Sequence, residues 1–237
     1  MSEASLWTRW KTIHQTANPL PGAPLDIVSK WMLITRSYVF EMDVYAGMIG
    51  MLLALQFIEP NSLMFYDGGI IVVGLILAHA ANNMLNDFFD TLHGVDTKGY
   101  PRTEYGPHAL IDNLISTKGL MIAIFLCNLV DLIIAIYFYQ KVGVEIFYFV
   151  FAGLGISIFY VAKPIRLKNL GLGELAIGLV YGPLMVGGTF MALTGESFGS
   201  PALNNAFLIS IPFGLTVMTM SIGKHMDKYE ADYAKPI

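Results

Sequence analysis

Six long apolar stretches divide this chain, and each has the roughly 20 residues that an α-helix needs to cross a bilayer. They lie at about 38–57, 69–86, 119–139, 144–162, 173–193 and 203–222. Hydrophobic residues make up 55% of the 237 residues and charged residues only 14%, which leaves too little polar surface for a water-soluble monomer. The sequence therefore predicts an all-α, multi-pass integral membrane protein with six spans.

The composition also argues against several other classes of protein. A single Cys is not typical of a disulfide-stapled secreted domain, and the high apolar content is not typical of a disordered tail. The 14 Lys and Arg residues do not outweigh the 18 Asp and Glu residues, so no nucleic-acid partner is expected. Membrane lipids are the expected surroundings, and nothing in the sequence indicates an obligate protein partner.

Residues 1–30 form a cytoplasmic or interfacial arm before the first span. They lack the apolar core of a signal peptide. At helical spacing, Leu6, Trp7 and Trp10 together with Arg9 suit a helix that lies on the membrane surface. A poorly ordered terminus is an equally good interpretation of the same residues.

The basic residues predict the orientation of the spans. In a six-span arrangement, 13 of the 14 Lys and Arg residues fall on one side of the membrane, and Lys141 is the exception. Cytoplasmic loops collect Lys and Arg. We therefore expect both termini, and the loops after spans two and four, to be cytoplasmic.

Acidic and amide side chains gather where span two leaves the membrane, and acidic ones again after span six. The first cluster contains Asn82, Asn86, Asp87, Asp90, Asp96 and Arg102, and the second contains Lys224, Asp227, Lys228 and Asp232. If the helix of span two continues to Asp90, then Asn86 and Asp90 share a face and Asn82 lies one turn below them. Gly94 is expected to end this helix, which puts Asp96 on the following turn.

These residue types suit a divalent cation with a phosphate ligand. The first cluster has too few oxygen donors for a closed Ca²⁺ cage, whereas Mg²⁺ keeps waters and is commonly held by one or two carboxylates plus phosphate oxygens. Arg102, Lys224 and Lys228 would face the phosphates. Polar side chains near membrane depth are costly and need partners, so we favour function over interfacial solvation. A diphosphate on a lipid tail is the ligand that this chemistry indicates.

Other polar residues carry no motif. Surface positions are expected for three histidines, His14, His93 and His108. Asp43 and Asp131 lie in or near apolar spans, where each is compatible with capping, snorkelling or structural pairing.

The segment NDFFDTLHGVDT resembles the first signature of the UbiA superfamily of intramembrane prenyltransferases, NDxxDxxxD. Asn86, Asp87 and Asp90 match this signature, and the third Asp follows six residues later at Asp96 instead of four. The residue sequence of this segment is most similar to that of the branch that contains 1,4-dihydroxy-2-naphthoate prenyltransferases. The segment FYVAKPIRLKNLGLGE, which includes Tyr160, resembles the family's segment between helices four and five.

The last segment, KHMDKYEADYAKPI, resembles the family's second aspartate-rich motif, usually DxxxD. Here Asp227 and Asp232 are five residues apart, and on a regular helix they would point roughly 140° from each other. Either the helix ends between them, or only Asp232 keeps its usual role and Lys228 takes the other place. Family members usually have nine helices, so we expect the prenyltransferase domain at 31–237 to be C-terminally incomplete.

The resemblance implies a helix bundle around a central chamber, with Mg²⁺ holding the diphosphate of a prenyl donor of geranyl to geranylgeranyl length or longer. It implies metal ligands at Asp87, Asp90, Asp96, Asp227 and Asp232. It implies catalytic roles for Asn86, Asp90, Tyr160 and Asp232, and substrate binding by Asn82, Arg102, Lys224 and Lys228. The prenyl group would pass to an aromatic quinone precursor.

Several alternatives remain open. The acceptor could instead be a haem, or the glycerol phosphate of an archaeal ether lipid, as in digeranylgeranylglyceryl phosphate synthase. The CDP-alcohol phosphotransferases also have six spans and Asp-rich Mg²⁺ chemistry, but Asp67 and Gly68 are not followed by the rest of their DGxxAR segment. A cation or solute transporter would more typically place ionisable groups at mid-bilayer on broken helices.

Overall fold

The computed structural model describes residues 4–226 and Tyr229, and the regular structure in this part of the chain is helical. The α-helices are α1 (Leu6–Thr16), α2 (Ile27–Thr35), α3 (Glu41–Ala54), α4 (Ser62–Leu92), α5 (Pro101–Tyr105), α6 (Thr117–Val142), α7 (Glu145–Val161), α8 (Gly173–Leu179), α9 (Gly188–Thr194) and α10 (Pro201–Met226). A π-helical segment, Val180–Gly187, joins α8 to α9 without a break. The expected all-α fold is confirmed for these residues.

Within the part of the chain that the structure describes, four helical stretches are long and apolar enough to cross a membrane. They are Ser62–Leu92, Thr117–Val142, Gly173–Thr194 and Pro201–Gly223. The helices at the two other expected spans are shorter, with 14 residues in α3 and 17 in α7. The count of six spans therefore stays a prediction, while a multi-pass helical membrane protein agrees with the structure.

The described chain divides into two compact units. The first contains residues 4–40 and 80–126, and the second contains residues 41–79 and 127–226. Helices α4 and α6 each contribute residues to both units. The first aspartate-rich cluster lies in the first unit, and most of the apolar helices belong to the second.

In the first unit, the N-terminal arm folds as a helix. Ser5 caps α1 by accepting a hydrogen bond from the Thr8 N–H, and Ala17 ends it in the left-handed conformation. The indole N–H of Trp10 donates to Asp26 at 3.1 Å, and the buried Arg9 donates to the carbonyl of Pro24 at 3.2 Å. The arm thus contains a helix tied to residues 24–26 by these contacts; both its placement on a membrane surface and its alternative as a poorly ordered terminus stay predictions.

In the second unit, large aromatic side chains and close helix contacts form the core. Phe138 and Phe190 are almost completely buried, together with Leu203. A Cβ atom added at Gly182 of the π-helical segment would lie 3.0 Å from the backbone carbonyl of Ser210 in α10. Glycine therefore lets the two helices approach closely, as small residues do in membrane bundles.

Candidate functional site

The end of α4 carries the first aspartate-rich cluster. The helix continues through Asp87 and Asp90 to Leu92, and Gly94 follows with φ +70°. The carbonyl of Asp90 accepts the N–H groups of Val95 at 2.9 Å and Asp96 at 3.2 Å. The predicted helix end at Gly94 is confirmed, and the turn after it carries Asp96.

The turn brings two predicted residues together with one that was expected elsewhere. Asp87, Asp96 and His108 are all buried, and one potential ligand atom from each lies within 4.8 Å of the others. The expectation of a surface position is wrong for His108, which is 0% exposed. Its ring lies against Asp96, and its backbone N–H donates to Asp112 at 2.6 Å, so hydrogen bonds at both ends hold the residue inside the unit.

Two arginines complete this group, which we call the site cluster: Arg36, Asp87, Asp96, Arg102 and His108. Arg36 ends α2 in the left-handed conformation, and its guanidinium pairs with Oδ1 of Asp87. Nη2 of Arg102 lies 3.7 Å from Oδ2 of Asp87, and Nη1 donates to the carbonyl of Gly106 at 3.3 Å. Burial, and then the charge of Arg102, lower the pKa of Arg36 to about 10, so Arg36 keeps its charge at neutral pH.

Several buried polar atoms of the site cluster have no hydrogen-bond partner among the described residues. They are Oδ2 of Asp87, Nε of Arg36, and Nε and Nη2 of Arg102. Leaving such a group unsatisfied costs about 1–3 kcal/mol, and more when it is charged. One carboxylate oxygen and a set of guanidinium donors are thus arranged for a ligand that offers both a positive and a negative partner.

The donor set fits Mg²⁺. Asp87 pairs with Arg36 and lies 3.7 Å from Arg102, and the charges of Asp96 and Asp90 act on Arg36. Three carboxylates and two guanidinium groups together leave one net negative charge. Mg²⁺ prefers carboxylate oxygens and completes its shell with water and phosphate oxygens. Oδ2 of Asp87 and the carboxylate of Asp96 are the atoms that would hold it.

The other predicted residues of the first cluster lie nearby in sequence but are not part of the three-residue group. Asp90 is buried, and its negative charge acts on Arg36. Asn82 and Asn86 are half-buried on α4. The neighbouring Asn83, which was not predicted, donates to the carbonyl of Thr35 at 3.0 Å and ties α4 to the end of α2. The roles of Asp90, Asn82 and Asn86 stay predictions.

The remaining predicted residues lie in the second unit or outside the described part of the chain. Tyr160 is half-buried near the end of α7 in the second unit. Lys224 lies in α10, but its side chain is outside what the structure describes. Three residues of the second motif, Asp227, Lys228 and Asp232, also lie outside the described residues.

The second unit contains a separate carboxylate cluster of Asp67, Tyr137 and Lys141, which we call the Asp67 cluster. The Tyr137 hydroxyl donates to Oδ1 of Asp67 at 2.7 Å. Nζ of Lys141 donates to Oδ1 at 2.8 Å and to Oδ2 at 2.6 Å, and lies 4.4 Å from the centre of the Tyr137 ring. Both carboxylate oxygens therefore have partners.

A further buried contact settles how Asp43 is accommodated. Oδ2 of Asp43 lies 2.7 Å from Nδ1 of His79, and Oη of Tyr181 lies 3.0 Å from the same nitrogen. Asp43 is fully buried and pairs with His79 through Oδ2, while its Oδ1 has no hydrogen-bond partner among the described residues; of the options that its sequence context left open, pairing agrees with this contact.

Two members of the site cluster were missed by sequence reasoning, Arg36 and His108. Arg36 is 51 residues from Asp87, and only its charge at the border of a span was noted, as a signal of orientation. His108 belongs to a GPH segment 12 residues after Asp96. Its position shortly after an aspartate-rich motif is the one local signal that could have indicated a role for His108.

The comparison with known proteins decides the family. The family model described as "UbiA prenyltransferase family" matches residues 44–236. The chain belongs to the UbiA prenyltransferase family. Its matched region includes Asp87, Asp96, Arg102 and His108, whereas Arg36 precedes it.

One curated relative supports the same assignment. The "UbiA prenyltransferase domain-containing protein 1" of Dictyostelium discoideum is 30% identical over 201 residues, which cover 83% of this chain and 58% of that protein. The chain thus spans less than two thirds of the length of this relative. No solved structure matches the chain significantly. The resemblance to the superfamily is confirmed, and the naphthoate branch within it stays a prediction.

Proposed function

We propose that this protein is a Mg²⁺-dependent prenyltransferase that moves an isoprenyl group from a prenyl diphosphate to an aromatic quinone precursor within the membrane. The observation that carries the proposal is the unsatisfied interior of the site cluster. A buried carboxylate oxygen of Asp87 lies 3.7 Å from the guanidinium of Arg102, yet these atoms have no hydrogen-bond partner among the described residues. A metal–diphosphate ligand offers a cation to the oxygen of Asp87 and phosphate oxygens to the guanidinium of Arg102.

Each residue of the site cluster has a distinct task in this proposal. Asp87 and Asp96 hold the cation, and the guanidinium of Arg36 fixes Asp87 through Oδ1 while leaving Oδ2 for the ligand. Arg102 binds phosphate oxygens through its planar set of N–H donors. The bound Mg²⁺ supplies charge neutralisation of the leaving diphosphate.

The site favours cleavage of the donor because negative charge develops on the diphosphate as the reaction proceeds. The allylic C–O bond breaks, and its electron pair goes to the departing pyrophosphate oxygen. A ring carbon of the acceptor then bonds to the allylic carbon, and the ring loses its proton to water. Fixed donors aimed at developing charge are the largest contribution that such a site makes.

The experiment measures pyrophosphate release by the purified protein in lipid nanodiscs. Labelled farnesyl and geranylgeranyl diphosphates are combined with dihydroxynaphthoate, hydroxybenzoate and glycerol phosphate as acceptors, with and without Mg²⁺. We expect release and a labelled product only with Mg²⁺, and with a dihydroxynaphthoate or another aromatic acceptor. Product with glycerol phosphate alone would replace the quinone precursor by an ether-lipid acceptor.

Variants then assign the residues. Asp90→Ala and Asp232→Ala are expected to abolish release. Glu104→Gln, at an exposed position in α5, serves as the control that keeps it. Unchanged turnover in both aspartate variants would remove these residues from the mechanism. Cation flux into liposomes without any prenyl transfer would favour a transporter instead.

A further inference from the structure

His108 lies between hydrogen-bond donors on one side of its ring and carboxylates on the other. Its Nδ1 receives the backbone N–H groups of Leu110 at 3.2 Å and Ile111 at 3.3 Å. Its Nε2 lies 3.1 Å from Oδ2 of Asp96 and 3.6 Å from Oδ1 of Asp87. The ring is fully buried, so these contacts decide which nitrogen of the neutral imidazole carries the proton.

The two backbone donors fix the tautomer of the imidazole. A neutral imidazole carries one N–H and one lone pair. The nitrogen that accepts from Leu110 and Ile111 must offer its lone pair, so the proton is on Nε2. His108 therefore donates through Nε2, and the acceptor is Asp96.

A metal ligand needs the opposite arrangement. Histidines that bind a metal through one nitrogen donate the other N–H to a carbonyl, carboxylate or water. The atoms around Nδ1 of His108 are donors, and its Nε2 has no lone pair to offer in this tautomer. The proximity of Nε2 to Asp96 thus reflects a hydrogen bond, and its 3.6 Å distance to Asp87 reflects close packing of the two side chains.

We propose that His108 is a positioning residue: its Nε2–H orients the carboxylate of Asp96 for the cation, and the imidazole itself does not coordinate. This rests on the proposed function, since it concerns the same cation. The consequence is a cation site with oxygen ligands only. Such a site prefers Mg²⁺ and Mn²⁺ over Zn²⁺, for which an imidazole ligand is favourable.

The first test measures the tautomer without any metal. NMR of the metal-free protein labelled with ¹⁵N-histidine in detergent gives the protonation of each ring nitrogen, and loss of one signal pair in His108→Asn or His108→Gln assigns it to His108. We expect a protonated Nε2 and an unprotonated Nδ1. A protonated Nδ1 overturns the proposal.

The second test measures Mn²⁺ binding by electron paramagnetic resonance. His108→Asn keeps an acceptor at the position of Nδ1 and removes the donor to Asp96, whereas His108→Gln keeps a donor near the position of Nε2. Loss of an outer-shell partner of this kind typically weakens metal binding by about 10–100-fold. We expect a loss of that size in His108→Asn and a smaller one in His108→Gln.

The bound Mn²⁺ also reports its own ligands. Electron spin-echo modulation is expected to show no directly coordinated nitrogen in the wild-type protein. A coordinated nitrogen that disappears in His108→Asn, or unchanged Mn²⁺ affinity in that variant, contradicts the positioning role. If the wild-type protein binds no Mn²⁺ even with a diphosphate analogue, the proposed metal site is contradicted, and the role of His108 with it. If the expected tautomer is observed but both variants bind Mn²⁺ as tightly as the wild-type protein, only the role of His108 is contradicted.

Discussion

Asp67 and Asp87 are both buried carboxylates with basic partners, but the hydrogen bonds around them differ. In the Asp67 cluster, Tyr137 and Lys141 together satisfy both oxygens of Asp67 at 2.6–2.8 Å. In the site cluster, Oδ1 of Asp87 pairs with Arg36, while Oδ2 has no hydrogen-bond partner among the described residues. The first cluster is complete by itself, and the second is complete only with a ligand.

An unsatisfied carboxylate oxygen alone does not mark a site, because the buried Oδ1 of Asp43 also has no hydrogen-bond partner among the described residues. The site cluster differs because unsatisfied guanidinium nitrogens of Arg36 and Arg102 accompany the unsatisfied oxygen of Asp87. A buried carboxylate with all its oxygens paired contributes a link between helices and requires nothing more. An unsatisfied oxygen beside unsatisfied guanidinium nitrogens costs free energy in the unliganded protein. Such a cost persists where a ligand offsets it, so the site cluster is the place to expect chemistry.

Among the tests of this comparison, the largest expected effect follows from Asp87→Asn. The change removes a charge that holds the cation, so we expect pyrophosphate release to fall by about 100-fold or more, since metal neutralisation of a leaving group contributes several kcal/mol. The matched variant is Asp67→Asn, for which the turnover of folded protein should not change. Turnover measured on folded, size-exclusion-purified protein checks both, and equal losses in the two variants would break the comparison.

A smaller effect is expected from Arg102→Met, which keeps an unbranched apolar stem but removes the guanidinium donors. A hydrogen bond to a charged group contributes about 1.5–3 kcal/mol, so kcat/KM for the diphosphate should fall by about 10–100-fold. Arg102→Lys retains the charge but not the planar fork, and an intermediate loss is expected. Full activity of Arg102→Met would show that its unsatisfied nitrogens do not mark the diphosphate site.

The stability of the Asp67 cluster provides the third test. Asp67→Asn leaves Lys141 without its anionic partner, and Lys141 is only partly exposed, at 30% of its side chain. We expect a loss of about 1–2 kcal/mol in unfolding free energy, measured by thermal or denaturant unfolding in detergent. The double variant Asp67→Asn, Lys141→Met should recover part of it. If the double variant is no more stable than the single one, the unpaired lysine is not the cause.

The helix of span two, its end at Gly94 and the closeness of Asp87 to Asp96 follow from local sequence, because helical period and glycine punctuation act over a few residues. The position of Arg36 does not follow from local sequence, since its contact with Asp87 spans 51 residues and depends on the left-handed conformation of Arg36 at the end of α2. The environment expected for His108 was wrong because its contacts with Asp96 and Asp87 depend on how the segment after α4 folds back, which no local pattern predicts. Local patterns thus predicted the carboxylates, while the tertiary fold supplied the groups that orient them.

The smallest expected effect comes from Asp26. It tests whether a carboxylate is functional because its oxygens lack hydrogen-bond partners, or merely because it lies in the first unit. Asp26 is in the first unit with Asp87, yet it accepts hydrogen bonds from the Ser29 N–H at 3.0 Å, the Ser29 hydroxyl at 2.7 Å and the Trp10 indole at 3.1 Å. Partial burial raises the pKa of Asp26, but these hydrogen bonds outweigh it and lower the pKa from 3.8 to about 2. Asp26 is therefore a satisfied carboxylate, and it should affect stability and not turnover.

Removing this N-cap in Asp26→Ala is expected to lower the free energy of unfolding by about 1 kcal/mol at neutral pH and to leave turnover unchanged. Because the folded-state pKa lies below the unfolded one, the stabilisation by Asp26 is complete above about pH 4 and is lost as the pH falls toward 2. Unfolding in detergent from pH 7 to pH 3 should show the gap between wild type and Asp26→Ala narrowing below pH 4. Asp26→Asn, which keeps one acceptor, should lose less, and a drop in turnover for either variant would show that satisfied and unsatisfied carboxylates of the first unit are not functionally distinct.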